Sequence, residues 1–329
     1  MTGITVRILA VGAVAVGCGS VSSPPLSAMQ ACSDLANAMC GKRASCTNGT
    51  GITRANGEMS TCVAEEQQMC MLALSAKDTG NSPANTEKCV AAIGGWTCTD
   101  FLNGAPPAAC TPAGTRATSM PCAFNGQCES AFCLRDKTSV CGTCQAPPSV
   151  GDACLDGQCG HGQTCVGSPR TCQALVAVNQ PCTGQTCSAL LNCVANDVVN
   201  MGAGTCEMAG TTVGAACGAG TAQCAGVVGL ACSGPAASKT CMMMTYGDDG
   251  APCGPSSADM VRSGCKAGGC YTATGQATEA DNGTCKADVD PGTACDTMLG
   301  PACKPPGRCV VLPNSTAGTC MTPDPSICG

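Results

Sequence analysis

Thirty-five cysteines are the residues of this 329-residue chain with the most capacity for chemistry, and the odd count leaves at least one without a partner inside the chain. A thiolate attacks electrophiles, binds soft metals or exchanges with a disulfide, whereas paired sulfurs only cross-link. Spacing sorts these uses. Cys141 and Cys144 form the one Cys-x-x-Cys, the spacing of a redox pair or half a zinc site, but the helix N-terminus and βαβ setting of a redox motif are missing around it. Adjacent cysteines and Cys-x-Cys pairs, which let thiolates share metal ions, do not occur; the run Cys241-Met242-Met243-Met244 is the one soft-metal feature. His161, the only histidine, sits in CGHGQTC between Cys159 and Cys165, within a repeat whose other copies lack histidine, so it reads as a turn residue rather than a base. There is no GxSxG and no HExxH. The acids Asp248-Asp249 and those at 288 and 290 do not recur in the repeat, which suits solvated turns better than calcium ligands. No catalytic residue, metal site or cofactor is expected, and the cysteines are expected to be structural.

The composition explains why so many bridges are needed. Three Phe, two Tyr and one Trp cannot fill ordinary cores over this length, and the 44% apolar fraction comes mainly from Ala, Cys and Val, each of which buries little area. Cysteine exceeds a tenth of the chain and accompanies 43 Gly and 21 Pro, the profile of a disulfide scaffold made in an oxidising compartment. A net charge of −6, no basic cluster and almost no aromatic rings exclude nucleic acid as a partner.

Residues 1–17 have the order of a secretory signal: one cation, Arg7, then an apolar run over 8–16, too short for the roughly 20 residues of a membrane span. The small residues Ala15, Val16 and Gly17 directly before Cys18 resemble the bacterial lipobox, in which cleavage precedes a cysteine that receives a diacylglyceryl group. Lipidation at Cys18 would leave 34 cysteines, an even number, and 18–27 would form a lipidated tether.

Over 28–110 eight cysteines, Cys32, Cys40, Cys46, Cys62, Cys70, Cys89, Cys98 and Cys110, lie at wide spacing among helix-periodic apolar residues. Two amphipathic helices carry Cys32 to Cys40 and Met59 to Leu74; a third starts at the cap Ser82 with Pro83 in its first turn and stops at Gly94-Gly95. Trp96, Phe101 and Leu102 are expected to close the core. Cys32 and Cys40, like Cys62 and Cys70, are eight apart, about 12 Å along a helix, beyond the roughly 7 Å that a disulfide spans. Each must therefore reach another helix or a loop, giving up to four bridges.

From 111 to 329 a four-cysteine unit recurs, opening near Gly-x-x-Cys and closing near Gly-Thr-Cys. Its copies carry Cys154, Cys159, Cys165 and Cys172; Cys182, Cys187, Cys193 and Cys206; Cys217, Cys224, Cys232 and Cys241; Cys253, Cys265, Cys270 and Cys285; and Cys295, Cys303, Cys309 and Cys320. A variant first copy has Cys122, Cys128, Cys133 and Cys144. Two bridges per unit allow three connectivities, and Cys141 and Cys328 fall outside the count with no assignable partners. Short hairpins with irregular loops, stacked as an elongated rod, are expected, with any binding at the enlarged loops 195–203 and 271–282.

The stretches TDFLNGAPPAAC, GTRATSMPCAFNGQCESAFC and CGTC resemble a family of cysteine-rich lipoproteins and exported proteins from myxobacteria and related bacteria, and the later units are similar to the cysteine-rich module of Dickkopf-type proteins. The resemblance implies export and carries no enzymatic activity with it. In a bacterial lipoprotein the sequons at Asn48, Asn282 and Asn314 would be coincidental; they matter only in a eukaryotic source. The expected fold is small and disulfide-rich, a helical domain followed by tandem modules. The expected function is that of a non-enzymatic, lipid-anchored outer-membrane or cell-surface protein with a structural or adhesive role. The alternatives are a module that recognises an extracellular protein or glycan, in surface-bound or secreted form, and, more remotely, thiolate metal binding. Gly19 and Ser20 lack the aspartate that retains many lipoproteins at an inner membrane.

Overall fold

The computed structural model describes residues 26–155, 157–183, 186–195, 203–218, 223–235, 238–255, 262–277 and 281–328. Residues 1–25, which hold the expected leader, Cys18 and most of the expected tether, lie outside the described residues.

The helical domain is built on helices α1 (Ala28–Cys46) and α3 (Met59–Ser75). Ser27 caps α1, its side chain accepting a hydrogen bond from the Gln30 amide. The eight-residue cysteine spacing makes the two helices antiparallel: Cys32 bonds Cys70 and Cys40 bonds Cys62, so eight steps up one helix match eight steps down the other. Between them α2 (Thr50–Asn56) packs Ile52 against Cys40 and Cys62. The expected third helix is α4 (Pro83–Ile93), capped by Ser82 and ended by Gly94. Cys46–Cys98 and Cys89–Cys110 complete four bridges, the second of them tying α4 to the residues after α5 (Cys98–Leu102). Trp96 and Phe101 meet edge to face at 4.8 Å in a cluster with Cys89, Ile93, Leu35 and Met39. Leu102 stays half-buried outside that cluster, a difference from expectation that follows from its place at the end of the five-residue α5.

Six modules follow, at 122–144, 154–172, 182–206, 217–241, 253–285 and 295–320, and all use one connectivity. The first cysteine bonds the third and the second bonds the fourth: Cys122–Cys133 with Cys128–Cys144, Cys154–Cys165 with Cys159–Cys172, and Cys182–Cys193 with Cys187–Cys206. The series continues through Cys217–Cys232 with Cys224–Cys241, Cys253–Cys270 with Cys265–Cys285, and Cys295–Cys309 with Cys303–Cys320. The third and fourth cysteines face each other across a hairpin, as Cys133 and Cys144 or Cys309 and Cys320 do. Facing residues in one hairpin leave their sulfurs on one side of the ladder, and each bonds outward to a cysteine of the opening segment.

The recurrent Gly-x-x-Cys has a backbone cause. The residue three before the first cysteine has positive φ in every module, at Ser119, Gly151, Asn179, Gly214, Gly250 and Gly292. Its amide donates to the carbonyl of the closing cysteine at 2.7–2.9 Å, which locks the unit's entry to its exit. Glycine fits this left-handed geometry without strain, and Asn179 tolerates it. The Gly of Gly-Thr-Cys answers to a steric limit: a Cβ on Gly142, Gly283 or Gly318 would run into the carbonyl of Leu134, Tyr271 or Val310. Modules with this glycine form three-stranded or larger sheets. Those with Arg170 or Lys239 there keep a two-stranded hairpin and one isolated bridge to the opening segment.

The modules do not extend as a rod, and the expectation of an elongated chain is corrected here. The first five each hydrogen-bond the helical domain, through Gly126, His161, Ala189, Val227 and Ala267. The sixth returns to the first: the Val311 amide donates to Lys137 O, Arg308 Nη2 donates to Asp136 O, and Cys328 bonds Cys141 across 187 residues. Residues 28–110 form a hub, and the modules close around it as a ring. Repeats stay extended when each unit contacts only its neighbours; here the first five also dock on the hub and the sixth on the first, so the array curves back.

One docking contact is sensitive to pH. Asp288, in the segment entering the sixth module, has its carboxyl pushed up to about 6 by burial first and by Glu65 of α3 second, with Lys304 offsetting part of the rise. Burial also raises Glu65, against the hydrogen bond that it accepts from Asn56. Since the folded-state value exceeds the ordinary 3.8, ionising Asp288 opposes folding. That penalty is absent below about pH 4, grows through pH 6 and is complete above it. Asp288→Asn is therefore expected to melt above the parent at pH 7.5 and level with it near pH 4, as differential scanning calorimetry at the two pH values would show.

Candidate functional site

The 34 cysteines after Cys18 make 17 disulfides. Cys141 and Cys144 do not act together: the first bonds Cys328 and the second bonds Cys128. Groups of three sulfurs such as Cys122, Cys128 and Cys133 lie within 4.8 Å of one another, but all are disulfide sulfurs and present no thiolate to a metal. His161 is exposed, with Nδ1 3.3 Å from the Gly104 carbonyl, and the cysteines on either side of it are bonded to Cys172 and Cys154. Cys241 bonds Cys224, while Asp248 and Asp290 pair with Lys266 and Lys304 at 3.0 Å, and Asp249 accepts from the Ala287 amide. The enlarged loops lie partly outside the described residues, at 196–202 and 278–280.

The structure instead draws attention to the joint where the first module meets the hub. The PCAFNGQC stretch makes it. Gln127 is completely buried; its Oε1 accepts from the amides of Ala123 and Phe124 and its Nε2 donates to Lys77 O in the α3–α4 connection. Arg116 is nearly buried too, donating through Nε to Asp78 at 3.2 Å and through Nη1 to the carbonyls of Pro121 and Cys328. These bonds hold Phe124 in a cluster with Ala76, Cys141 and Cys328 against Met69, Leu72 and Ala73 of α3.

Beside Phe124 runs a cleft of about 370 Å³ lined by Met69, Ala73, Pro106, Pro112, Phe124, Arg135 and His161 among others. A second hollow of about 430 Å³, with Phe132, Pro147 and Gln158 in its walls, shares Thr111, Asn125, Ala131 and His161 with the first. Two of the chain's three phenylalanines thus line one composite depression between the hub and the first two modules. Arg135 is its charged element. The guanidinium lies 6.0 Å from the Phe124 ring centre, and its Nε is buried without a hydrogen-bond partner. Burial, and then Arg308, push its pKa down to about 10, so it remains a cation at neutral pH. The neighbouring Asp136 carboxylate is turned away to the Thr138 amide and hydroxyl.

A wider groove of about 680 Å³ opens between the third, fourth and fifth modules, lined by Arg54, Asn192, Gln223, Lys239 and Gln276 among others, and no aromatic ring is among its described lining residues. It is the larger space, but the Phe124 cleft combines apolar walls with a half-buried guanidinium whose Nε is buried without a hydrogen-bond partner. That combination is what orients a small ligand. Sequence reasoning missed Phe124 and Arg135; the one signal was the rarity of phenylalanine in this chain, with Phe124 and Phe132 flanking Cys128. No protein-family model, curated protein or solved structure matches the chain.

Proposed function

We propose that the chain is a non-enzymatic, lipid-anchored protein of the outer membrane or cell surface whose disulfide frame presents a recognition surface. The observation that carries this is the sulfur count. With 34 cysteines paired, Cys18 is the one left over, and it stands directly behind a signal-like leader and a lipobox-like Ala-Val-Gly. Acyl chains on that sulfur contribute about 0.8 kcal/mol per buried methylene, and two or three chains anchor stably. No helix among the described residues is long and apolar enough to cross a membrane, so the lipid would be the means of attachment. The oxidised frame supports work outside a reducing compartment. A ring that returns to its start adds no reach, which favours recognition over a stalk.

Cys18→Ala tests the anchor. The parent is expected to sediment with membranes and to have an N-terminal peptide heavier than its amino acids by the lipid, while the variant is expected to be soluble. A parent found unacylated at Cys18 would end this reading.

A further inference from the structure

We infer that the cleft between α3, the 105–112 segment and the first two modules binds a small carboxylate with an apolar body, the anion resting on Arg135 and the apolar part on Phe124 and Met69. It rests on the recognition part of the reading above and not on the anchor.

Burying a guanidinium without a counter-ion or hydrogen bonds costs several kcal/mol, and folded proteins otherwise pair such groups. Arg135 is buried as far as its Nε, the charge that acts on it most strongly is the like-charged Arg308, and the adjacent acid Asp136 is engaged with Thr138. Its stem is held in place, because it packs over Gly142 of the module's closing strand. The ring of Phe124 covers one side of the cation. The buried Nε and the Phe124 ring therefore hold the guanidinium ready for an anion. Among the described lining residues of the two hollows there is no acid, while Asn81, Asn125 and Thr111 add neutral hydrogen-bonding groups. A guanidinium presents a fork of donors that matches a carboxylate in two bonds. Met69, Ala73, Pro106 and Phe124 would surround an apolar body, and the volumes of about 370 and 430 Å³ lie in the size range of small-ligand sites. Inorganic anions would leave those apolar walls unfilled.

The test uses the full oxidised chain with Cys18→Ser and three probes: 3-phenylpropionate, its uncharged primary amide, and inorganic phosphate. Binding is followed by calorimetry and by the Arg135 Nε–H resonance. The carboxylate is expected to shift that resonance and to bind at least about tenfold tighter than the amide, the worth of one charge-assisted pair. Phosphate is expected to bind more weakly than the carboxylate. Arg135→Gln should abolish the preference for the carboxylate and should melt no lower than the parent, since it removes an unpaired buried charge. Equal affinity for acid and amide, no binding of either, phosphate binding as tight as the carboxylate, or a preference that survives Arg135→Gln would each overturn the inference. Because acid and amide are compared on the parent, the answer does not depend on the variant folding. An unacylated Cys18 would leave this result untouched, and a failed titration would leave membrane attachment untouched.

Discussion

Full reduction is expected to unfold all six modules, abolishing their near-ultraviolet disulfide signal and their hydrogen-exchange protection while part of the helical circular dichroism survives. The buried cluster of the first module is Cys122, Cys128, Cys133 and Cys144, and that of the fifth is Cys253, Cys265 and Cys285. No large apolar side chain belongs to either cluster; the fourth module differs, with Val228 and Leu230 buried beside Cys217, Cys224 and Cys241, and should be the last to lose protection. Each bridge contributes about 2–4 kcal/mol, chiefly by restricting the unfolded chain, so losing two from a unit this small removes an amount comparable to the roughly 5–15 kcal/mol margin of a whole domain. The hub has more to fall back on, since Ile52, Ile93, Trp96 and Phe101 pack in its clusters. Helices of 19 and 17 residues are nevertheless marginal alone, so the surviving helix content should be partial. Exchange protection persisting across 122–320 after every thiol has been alkylated would contradict this.

The second large effect concerns ring closure. Cys141→Ser with Cys328→Ser is expected to cost more than about 2–4 kcal/mol and to make the segment after Met321 the first site of proteolysis. The double variant avoids a stray thiol that could cross-link two chains. Its effect should exceed simple loss of a loop constraint, because the Cys328 carbonyl accepts from the buried Arg116 and the Cys141–Cys328 pair is part of the Phe124 cluster. The contacts Val311 to Lys137 and Arg308 to Asp136 remain, so the ring should loosen rather than open fully. Urea melts of parent and variant, with limited proteolysis, would check both expectations; unchanged stability and cleavage would show that the staple is dispensable.

Much of the local architecture could be read from residue spacing. The Ser82-Pro83 cap, the Gly94-Gly95 stop and the impossibility of bonds within one helix between cysteines eight apart each follow from a fixed geometry, and α4 and the Cys32–Cys70 and Cys40–Cys62 pairs agree with them. Helix α2 was hidden because Gly51, Ile52 and Thr53 are weak helix formers and the helix depends on Ile52 packing into the hub. Module connectivity stayed open because cysteine order alone permits three pairings; the choice comes from strand register, with the third and fourth cysteines opposed. Ring closure was illegible for a related reason. Cys141 and Cys328 are 187 residues apart, and only the docking of the second to fifth modules on the hub and of the sixth on the first brings them together. The cleft inherits that non-locality, since Met69, Phe124, Arg135 and His161 meet only through the Gln127 and Arg116 joint.

Disulfide mapping of the non-reduced, mature protein, with its intact mass, bears most directly on the claim that sulfur bridges replace an apolar core and spare one cysteine for lipid. Seventeen links are expected, with first-to-third and second-to-fourth pairs in every module, Cys141 joined to Cys328, and acylated Cys18 outside all of them. Free thiols among the other 34 cysteines, or Cys141 joined to Cys144, would contradict it.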